Sequence, residues 1–329
     1  MVQAIEKNLQ SKGFGGKDSV KENRQGCLSR SIKHVLKLGS SFKTCFSLSE
    51  SLFDKLIIHA SYNLDKGVAD MQLNSTLILT APPAHSRAAL RFGLPVAHAA
   101  YRVGGGPHLF RANMPISVRG GLMALDCVGF DGRGEAGPFC QEVLRECSAR
   151  GYDGILCDFE GRPMPLLTEI VRTLAGLTQK RGWPLYVTET YGGYADSAKV
   201  LISSALSGGS LAQRLAEAAQ RYGQGRVALA IERVAEDFYL PSPSGQGQPL
   251  SQEELRRLMD ERSPSIFFST ELCAHYFTYM SQENGAHFVL FDDAGSIRKK
   301  LQVARGLGIR QAVLSYPQIE DVLEDILAG

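Results

Sequence analysis

The segment GYDGILCDFEGRP, residues 151–163, carries two carboxylates two positions apart, Asp158 and Glu160. The apolar run before them predicts a buried strand, and side chains two positions apart share one face of a strand. Neighbouring carboxylates raise each other's pKa, so that one can stay protonated and act as a general acid. The pair therefore indicates acid–base chemistry. The structural alternative is that both acids simply reach solvent, or that they pair with Arg162.

The chain around this pair alternates short apolar or β-rich runs with helical patterns, beginning near residue 75. About eight β-then-α units fit within residues 71–329, which predicts an α/β fold, a closed (β/α)8 TIM barrel. An open, doubly wound sheet remains the alternative, because alternation alone does not separate the two. In a barrel the carboxyl ends of the strands form the catalytic face, and the acid pair ends the fourth strand. The predicted strands are 76–83, 94–103, 121–130, 152–160, 183–190, 199–206, 226–234 and 309–317.

Two regions do not follow this alternation. Residues 242–292 show the pattern of a helix, a strand and a hairpin, which predicts a small α+β insertion between the seventh and eighth barrel strands. Residues 1–70 have little periodicity and are rich in Ser, Lys and Gly, so we expect a poorly patterned, loosely attached N-terminal extension.

Composition and charge argue against several classes of function. The 329 residues have a net charge of +2, and basic residues are not interleaved with aromatic ones, so we expect no nucleic-acid partner. The seven cysteines form no CxxC pair and the seven histidines no HxH or HExxH motif, which favours reduced thiols without a metal site or cofactor. No apolar run reaches the length of a membrane span. The first 25 residues lack the apolar core of a signal peptide, which favours a cytoplasmic protein. Nothing in the sequence indicates an oligomeric state.

The segment DGILCDFE resembles the fourth-strand signature of the family 18 glycoside hydrolases, the chitinase-like enzymes, which reads DxxDxDxE. Asp153 matches the first Asp of that signature, and Leu156 stands in place of the second. Asp158 matches the third Asp, and Glu160 matches the catalytic acid. Three of the four acidic positions are therefore kept.

Two further segments are similar to the spore-cortex-lytic N-acetylglucosaminidase branch of this family. AIERVAEDFYLP, residues 230–241, resembles that branch's seventh-strand segment GIPxYGYDWxLP. Residues 274–313 resemble the branch's insertion hairpin, return helix and entry to the last strand. The resemblance covers about residues 120–320 in the same order of elements. In the seventh-strand segment the matches are Ile231, Asp237, Leu240 and Pro241, and Phe238 replaces the Trp.

The resemblance implies a retaining hydrolase of β-1,4-linked glycans that contain N-acetylglucosamine, of the peptidoglycan or chitin type. In this family the substrate's own 2-acetamido oxygen attacks the anomeric carbon, so no nucleophile from the enzyme is needed. Glu160 would then be the general acid, and Asp158 would tune it and hold the acetamido group. The resemblance also implies association with a spore. The expected substrate-binding residues are Asp153, Asp126, Tyr191, Glu232, Asp237 and Tyr316.

Several groups that carry function in the family are replaced in this chain, which indicates a degenerate active site. Besides Leu156, the sixth strand has Ser204 and Ala205 in place of the family's Tyr and acid, and Val234 replaces a Tyr on the seventh. Ser315 or Tyr316 falls where a Trp of the eighth strand would form the floor of the sugar site.

Two alternatives to a glycosidase therefore stay open. One is a catalytically inactive barrel that binds glycan or protein in a spore or envelope assembly. The other is a barrel enzyme with a different substrate that uses the carboxylates of Glu160, Glu189 and Glu232.

Overall fold

A computed structural model describes residues 76–112, 119–241, 246–282 and 285–328. The predicted extension over residues 1–70, and with it the segment that bears on a signal peptide, lies outside the described residues. The strands are β1 (Thr76–Ala81), β2 (Val96–Gly104), β3 (His108–Arg111), β4 (Leu122–Asp126), β5 (Gly154–Asp158), β6 (Leu185–Thr188), β7 (Lys199–Ser203), β8 (Val227–Ile231), β9 (Ala235–Leu240), β10 (Gln248–Pro249), β11 (Phe267–Ser269), β12 (Ala274–Ser281), β13 (Gly285–Phe291) and β14 (Gln311–Ser315).

Eight parallel strands close into a barrel. They follow the order β1-β14-β8-β7-β6-β5-β4-β2, and β1 also pairs with β2, which joins the two ends of the sheet. The antiparallel strand β3 extends β2 as a hairpin. The (β/α)8 barrel predicted from the alternation is thereby confirmed, and the open sheet is wrong, because an open sheet would leave β1 and β2 unpaired with each other.

Helices follow most of the barrel strands and cover them from outside. Local signals set two of their ends: Gly151 adopts a φ of 69° after the helix Ala136–Arg150, and Ser251 and Glu254 form a capping box at the start of the helix Gln252–Arg262. The helices are α1 (Ser86–Leu90), α2 (Ala136–Arg150), α3 (Pro165–Gln179), α4 (Leu211–Tyr222), α5 (Gln252–Arg262), α6 (Ala294–Gly306), α7 (Tyr316–Ile319) and α8 (Leu323–Ala328).

The barrel interior contains a layer of apolar side chains, which lies directly beneath Asp158. Along β5, Ile155 and Cys157 point outward into the core beneath α2 and α3, while Leu156 points inward. The alternation then turns Asp158 inward, above Leu156. The inner layer consists of Ile78, Ala97, Leu122, Ala124, Leu156, Tyr186, Leu201, Ala228 and Val313, with Ala230 packed against it.

The chain divides into two compact units, and each is described by itself. The larger comprises Gln72–Ala235, Ile266–Tyr276 and Leu290–Gly329 and contains the barrel; the smaller includes Glu236–Ser265 and Phe277–Val289. Between β8 and β14 the chain forms a second sheet with the strand order β10-β9-β13-β12-β11, together with α5 and α6. The boundaries 242–292 for the insertion stay a prediction.

Across the described residues, no helix combines the length and the apolar character needed to span a membrane. The cysteines in this part of the chain are free: Cys140, Cys147, Cys157 and Cys273 are buried, and Cys127 is partly buried.

Candidate active site

Four carboxylates follow the carboxyl ends of three barrel strands. Asp126 ends β4 and Asp158 ends β5, and the two residues are paired in register on adjacent strands. Glu160 comes two residues after Asp158, and Glu232 comes directly after β8. Because the strands are parallel, all four residues lie at one end of the barrel. The structure thus brings together four of the eight predicted site residues, including both that were expected to be catalytic.

The pKa of Asp158 is raised above its usual value. Desolvation by the surrounding barrel wall is the largest cause, followed by the negative charges of Glu160, Asp126 and Glu232. The side chain nevertheless keeps contact with solvent, and Glu160 and Glu232 are exposed too, so water screens part of this repulsion. Asp158 therefore holds a proton more readily than an isolated aspartate, although it remains accessible to a ligand.

We expect Asp158→Asn to be more stable than the wild type at neutral pH. A raised folded-state pKa means that ionised Asp158 disfavours folding. The stability that the protonated side chain contributes is fully present below the unfolded-state pKa, about 3.9, and is lost as the pH rises through the folded-state pKa. A neutral Asn avoids that loss. Thermal melts at pH 7.5 and pH 3.5 should show a higher Tm for the variant at pH 7.5 and a smaller difference at pH 3.5.

The fully exposed Asp196 provides the control, and Asp196→Asn should melt like the wild type at both pH values. A Tm for Asp158→Asn equal to or below that of the wild type at pH 7.5 would contradict the electrostatic interpretation.

The backbone on both sides of Glu160 is held by groups at the end of β6. The Thr188 hydroxyl donates to the carbonyl of Phe159 at 2.7 Å. The Tyr191 hydroxyl accepts the amide of Met164 at 3.2 Å, and its ring packs edge-on against the Phe159 ring at 5.8 Å. The loop that carries Glu160 is therefore fixed before and after this residue.

The structure buries Tyr191, and its predicted role in binding substrate stays a prediction. Its side chain is 1% exposed and belongs to the core between the barrel wall and the helices. The physical reason is that β6 ends at Thr188 and the chain continues as a 3-10 turn over Glu189–Tyr191. The turn breaks the two-residue alternation and rotates the Tyr191 ring outward.

The carboxylates of Asp126 and Glu189 have identified partners, and Glu232 is held through its backbone amide. Asp126 Oδ1 accepts from Arg102 Nε at 2.8 Å and from the amide of Val128 at 3.0 Å. The buried Ser204 hydroxyl accepts the amide of Glu232 at 3.2 Å. The side chain of Glu189 is engaged differently, because its carboxylate forms an ion pair with Arg214 of α4.

Two predicted substrate-binding residues are not brought to this group of acids. Asp153 precedes β5, about 16 Å of strand away from Asp158. Tyr316 is buried in the outer core, where its hydroxyl donates to Glu320 at 3.2 Å, because β14 ends at Ser315 and Tyr316 begins a helix.

Asp237, also predicted to bind substrate, belongs to the smaller unit. Its carboxylate accepts from Tyr279 at 2.7 Å and lies 3.0 Å from Nδ1 of His287. These contacts give Asp237 a structural role within the smaller unit. Its expected role in binding substrate stays a prediction.

Sequence reasoning missed Arg102 and Thr188. Thr188 had a signal, since it lies two residues after the inward-facing Tyr186 on a predicted strand. Arg102 had none, because the pairing of β2 with β4 shifts between Ala99 and Tyr101. Within the described residues, no three His, Cys, Asp or Glu side chains form a group able to hold a metal ion.

Comparison with solved structures identifies proteins of the same fold. The spore cortex-lytic enzyme SleL of Bacillus megaterium QM B1551 is 15% identical, with a TM-score of 0.54 over 73% of this chain and 70% of that chain. SleL of Bacillus cereus is 16% identical, with a TM-score of 0.56 over 77% and 74% of the two chains. A chitinase of Chromobacterium violaceum ATCC 12472 is 15% identical, with a TM-score of 0.58 over 78% and 99%.

No protein-family model matches the sequence, and no curated protein does either. At these identities the structural likeness is a likeness of fold. It confirms the fold that the sequence resemblance implied, a barrel shared with chitinases and spore cortex-lytic enzymes.

Proposed function

We propose that this chain is a retaining glycoside hydrolase that acts on β-1,4-linked glycans containing N-acetylglucosamine, of the peptidoglycan or chitin type. The observation that carries the proposal is the position of Asp158 and Glu160 at the carboxyl end of β5, in a barrel whose fold is shared with chitinases and spore cortex-lytic enzymes. The spore enzymes among these proteins also support association with a spore.

The chemistry would proceed in two steps. The acetamido oxygen of the substrate attacks the anomeric carbon while the bond to the leaving glycosidic oxygen breaks, and Glu160 gives its proton to that oxygen. Water then attacks the resulting oxazolinium ion, with Glu160 now taking the proton, and the hemiacetal product keeps its configuration. Asp158 would stabilise the positive charge of the acetamido group, and its pKa, raised chiefly by desolvation, falls when that charge develops.

The stereochemistry of the product tests this mechanism. Proton NMR spectra recorded in the first minutes of the reaction with an N-acetylglucosamine hexamer should show the β-anomer before mutarotation. An α-anomer as first product would require a water to attack from the opposite face, and would contradict substrate assistance.

Thr188 should position the general acid through the Phe159 carbonyl, which accepts its hydroxyl at 2.7 Å. Thr188→Val keeps the shape of the side chain and removes the donor, so we expect kcat to fall about tenfold with little change in KM, because a misplaced acid slows only the chemical step. Thr188→Ser keeps a hydroxyl and should restore most of kcat. Equal kcat values for the Val and Ser variants would contradict the role.

A second candidate is a barrel that binds such glycans without cleaving them. It is favoured by the side chains at the ends of β7 and β14, where Ser204 and Ser315 stand in place of groups that orient substrate in the family. Isothermal titration calorimetry with N-acetylglucosamine oligomers separates the two candidates when it is combined with a product assay. Binding without release of new reducing ends would favour this candidate, and turnover would exclude it.

A further inference from the structure

A row of four side chains crosses four adjacent strands beside the candidate site. Asp158 on β5 is paired with Asp126 on β4, and Asp126 is paired with Arg102 on β2. Arg102 is in turn paired with Phe110 on β3. Residues paired in register on neighbouring strands present their side chains on the same face of a sheet. The row therefore extends about 14 Å from Asp158 to Phe110, over three interstrand spacings.

The neighbours of Phe110 establish which face of the hairpin it occupies. Leu109 packs against the core on the outer side of the barrel, and Arg111 makes an ion pair with Glu146 of α2 on that side. Phe110 lies between them in a strand, so its ring points the other way, to the face that carries Arg102. Phe110 is 64% exposed, so its ring is open to solvent.

The charges along the row are balanced at its centre. Arg102 Nε donates to Asp126 at 2.8 Å, so the guanidinium is neutralised by the carboxylate beside it. A guanidinium carries five N–H donors, and its other groups can donate to hydroxyl or amide oxygens. A neutral polar centre next to an exposed aromatic ring suits an uncharged ligand with apolar faces and many oxygens. It suits an anion or a nucleic acid less well.

We propose that Phe110 and Arg102 form a binding platform for the sugars of a glycan that lie beyond the cleavage point, at the edge of the barrel mouth. The inference rests on the proposed function, because the row begins at Asp158. A pyranose ring with equatorial substituents has an apolar face of C–H groups, which packs on an aromatic ring, while Arg102 donates to the sugar oxygens. Phe110 thus supplies from the β2–β3 hairpin an aromatic surface that the end of β14 lacks.

The expected consequence is a preference for long glycans. A dimer that fills the positions next to Glu160 does not reach Phe110, whereas a hexamer does. The test is calorimetry with N-acetylglucosamine dimers and hexamers. It uses proteins that carry Glu160→Gln, so that no substrate is consumed. Phe110→Ala should weaken hexamer binding about fivefold and leave dimer binding unchanged. Phe110→Trp should bind the hexamer as well as Phe110 does or better.

Arg111→Ala is the matched control, because it changes the adjacent residue on the opposite face of the same strand. It should bind both oligomers like its parent, which shows that the hairpin itself tolerates substitution. Equal hexamer affinities for Phe110→Ala and Arg111→Ala would overturn the platform while leaving the proposed function intact. If Phe110→Ala weakened the binding of the dimer and of the hexamer equally, the platform could not lie beyond the sugars next to Glu160. Failure of both oligomers to bind the parent would contradict the proposed function and the platform together.

Discussion

Glu160→Gln should lower the rate at which N-acetylglucosamine oligomers are cleaved by about 10²- to 10⁴-fold, the usual contribution of a general acid. Glutamine keeps the size and polarity of the side chain and has no proton to give to the leaving oxygen. Glu160 is exposed at the barrel mouth, so the substitution should leave the free energy of unfolding within about 0.5 kcal/mol of the wild-type value.

The loss of activity in Glu160→Gln should depend on whether the leaving group needs a proton. An aryl glycoside with an acidic phenol departs without protonation, so Glu160→Gln should lose much less activity on it than on the oligomer. Glu189→Gln tests the alternative in which Glu189 takes part in the chemistry. The Glu189 carboxylate is paired with Arg214, so we expect no catalytic role for it. Glu189→Gln should retain most of the wild-type activity. Equal losses of Glu160→Gln on both substrates would contradict the assignment of Glu160 as proton donor.

Lys300→Met should lower the free energy of unfolding by about 3–5 kcal/mol, because it leaves the buried Asp292 carboxylate without its counter-ion. Lys300 Nζ lies 2.6 Å from Asp292 Oδ2, and both side chains are almost completely buried. Asp292 also accepts from the Ser296 hydroxyl and from the amide of Val234. The pair therefore connects α6 to Val234, two residues after Glu232. Urea unfolding monitored by circular dichroism measures how much the pair contributes to the free energy of unfolding.

The exposed pair of Arg257 and Glu261 on α5 provides the matched comparison. Arg257→Met should change stability by less than about 1 kcal/mol, since exposed ion pairs contribute little. In an Asp292→Asn background, Lys300→Met should cost less than it does alone, because the unpaired carboxylate is then absent. A loss for Lys300→Met no larger than that for Arg257→Met would contradict the importance of the buried pair.

The barrel was predictable because each strand and helix carries its own local signal. Along β5, the inward Leu156 and outward Ile155 and Cys157 are all apolar, as a strand with two covered faces requires. In α2, buried residues recur at helical spacing and Gly151 ends the helix with a positive φ. Closure of the sheet was indicated only by the number of β-then-α units, because the local patterns of β1 and β2, which pair with each other, fit an open sheet equally well.

The candidate site was predictable where a side chain ends a barrel strand or follows its carboxyl end before any turn or helix, as in Asp158, Glu160 and Glu232. Asp158 keeps the alternation of β5 and lies where the sequence places it. Tyr191 and Tyr316 follow the ends of β6 and β14, where turns and helices replace the alternation, and both rings are buried in outer cores.

Arg102 was missed because of an irregularity in β2. The pairing with β4 shifts between Ala99 and Tyr101. Strict alternation from the inward Ala97 would turn Tyr101 inward and Arg102 outward. The extra residue at the bulge reverses this, so Tyr101 enters the outer core and Arg102 meets Asp126.

The initial rate of reducing-end release from an N-acetylglucosamine hexamer, measured for the wild type and for Glu160→Gln under the same conditions, tests the central claim most directly. We predict turnover by the wild type and a rate at least about 10²-fold lower for the variant. Equal amounts of product from the two proteins would contradict the role of Glu160, and binding of the hexamer without any product would show that the barrel holds glycan without cleaving it.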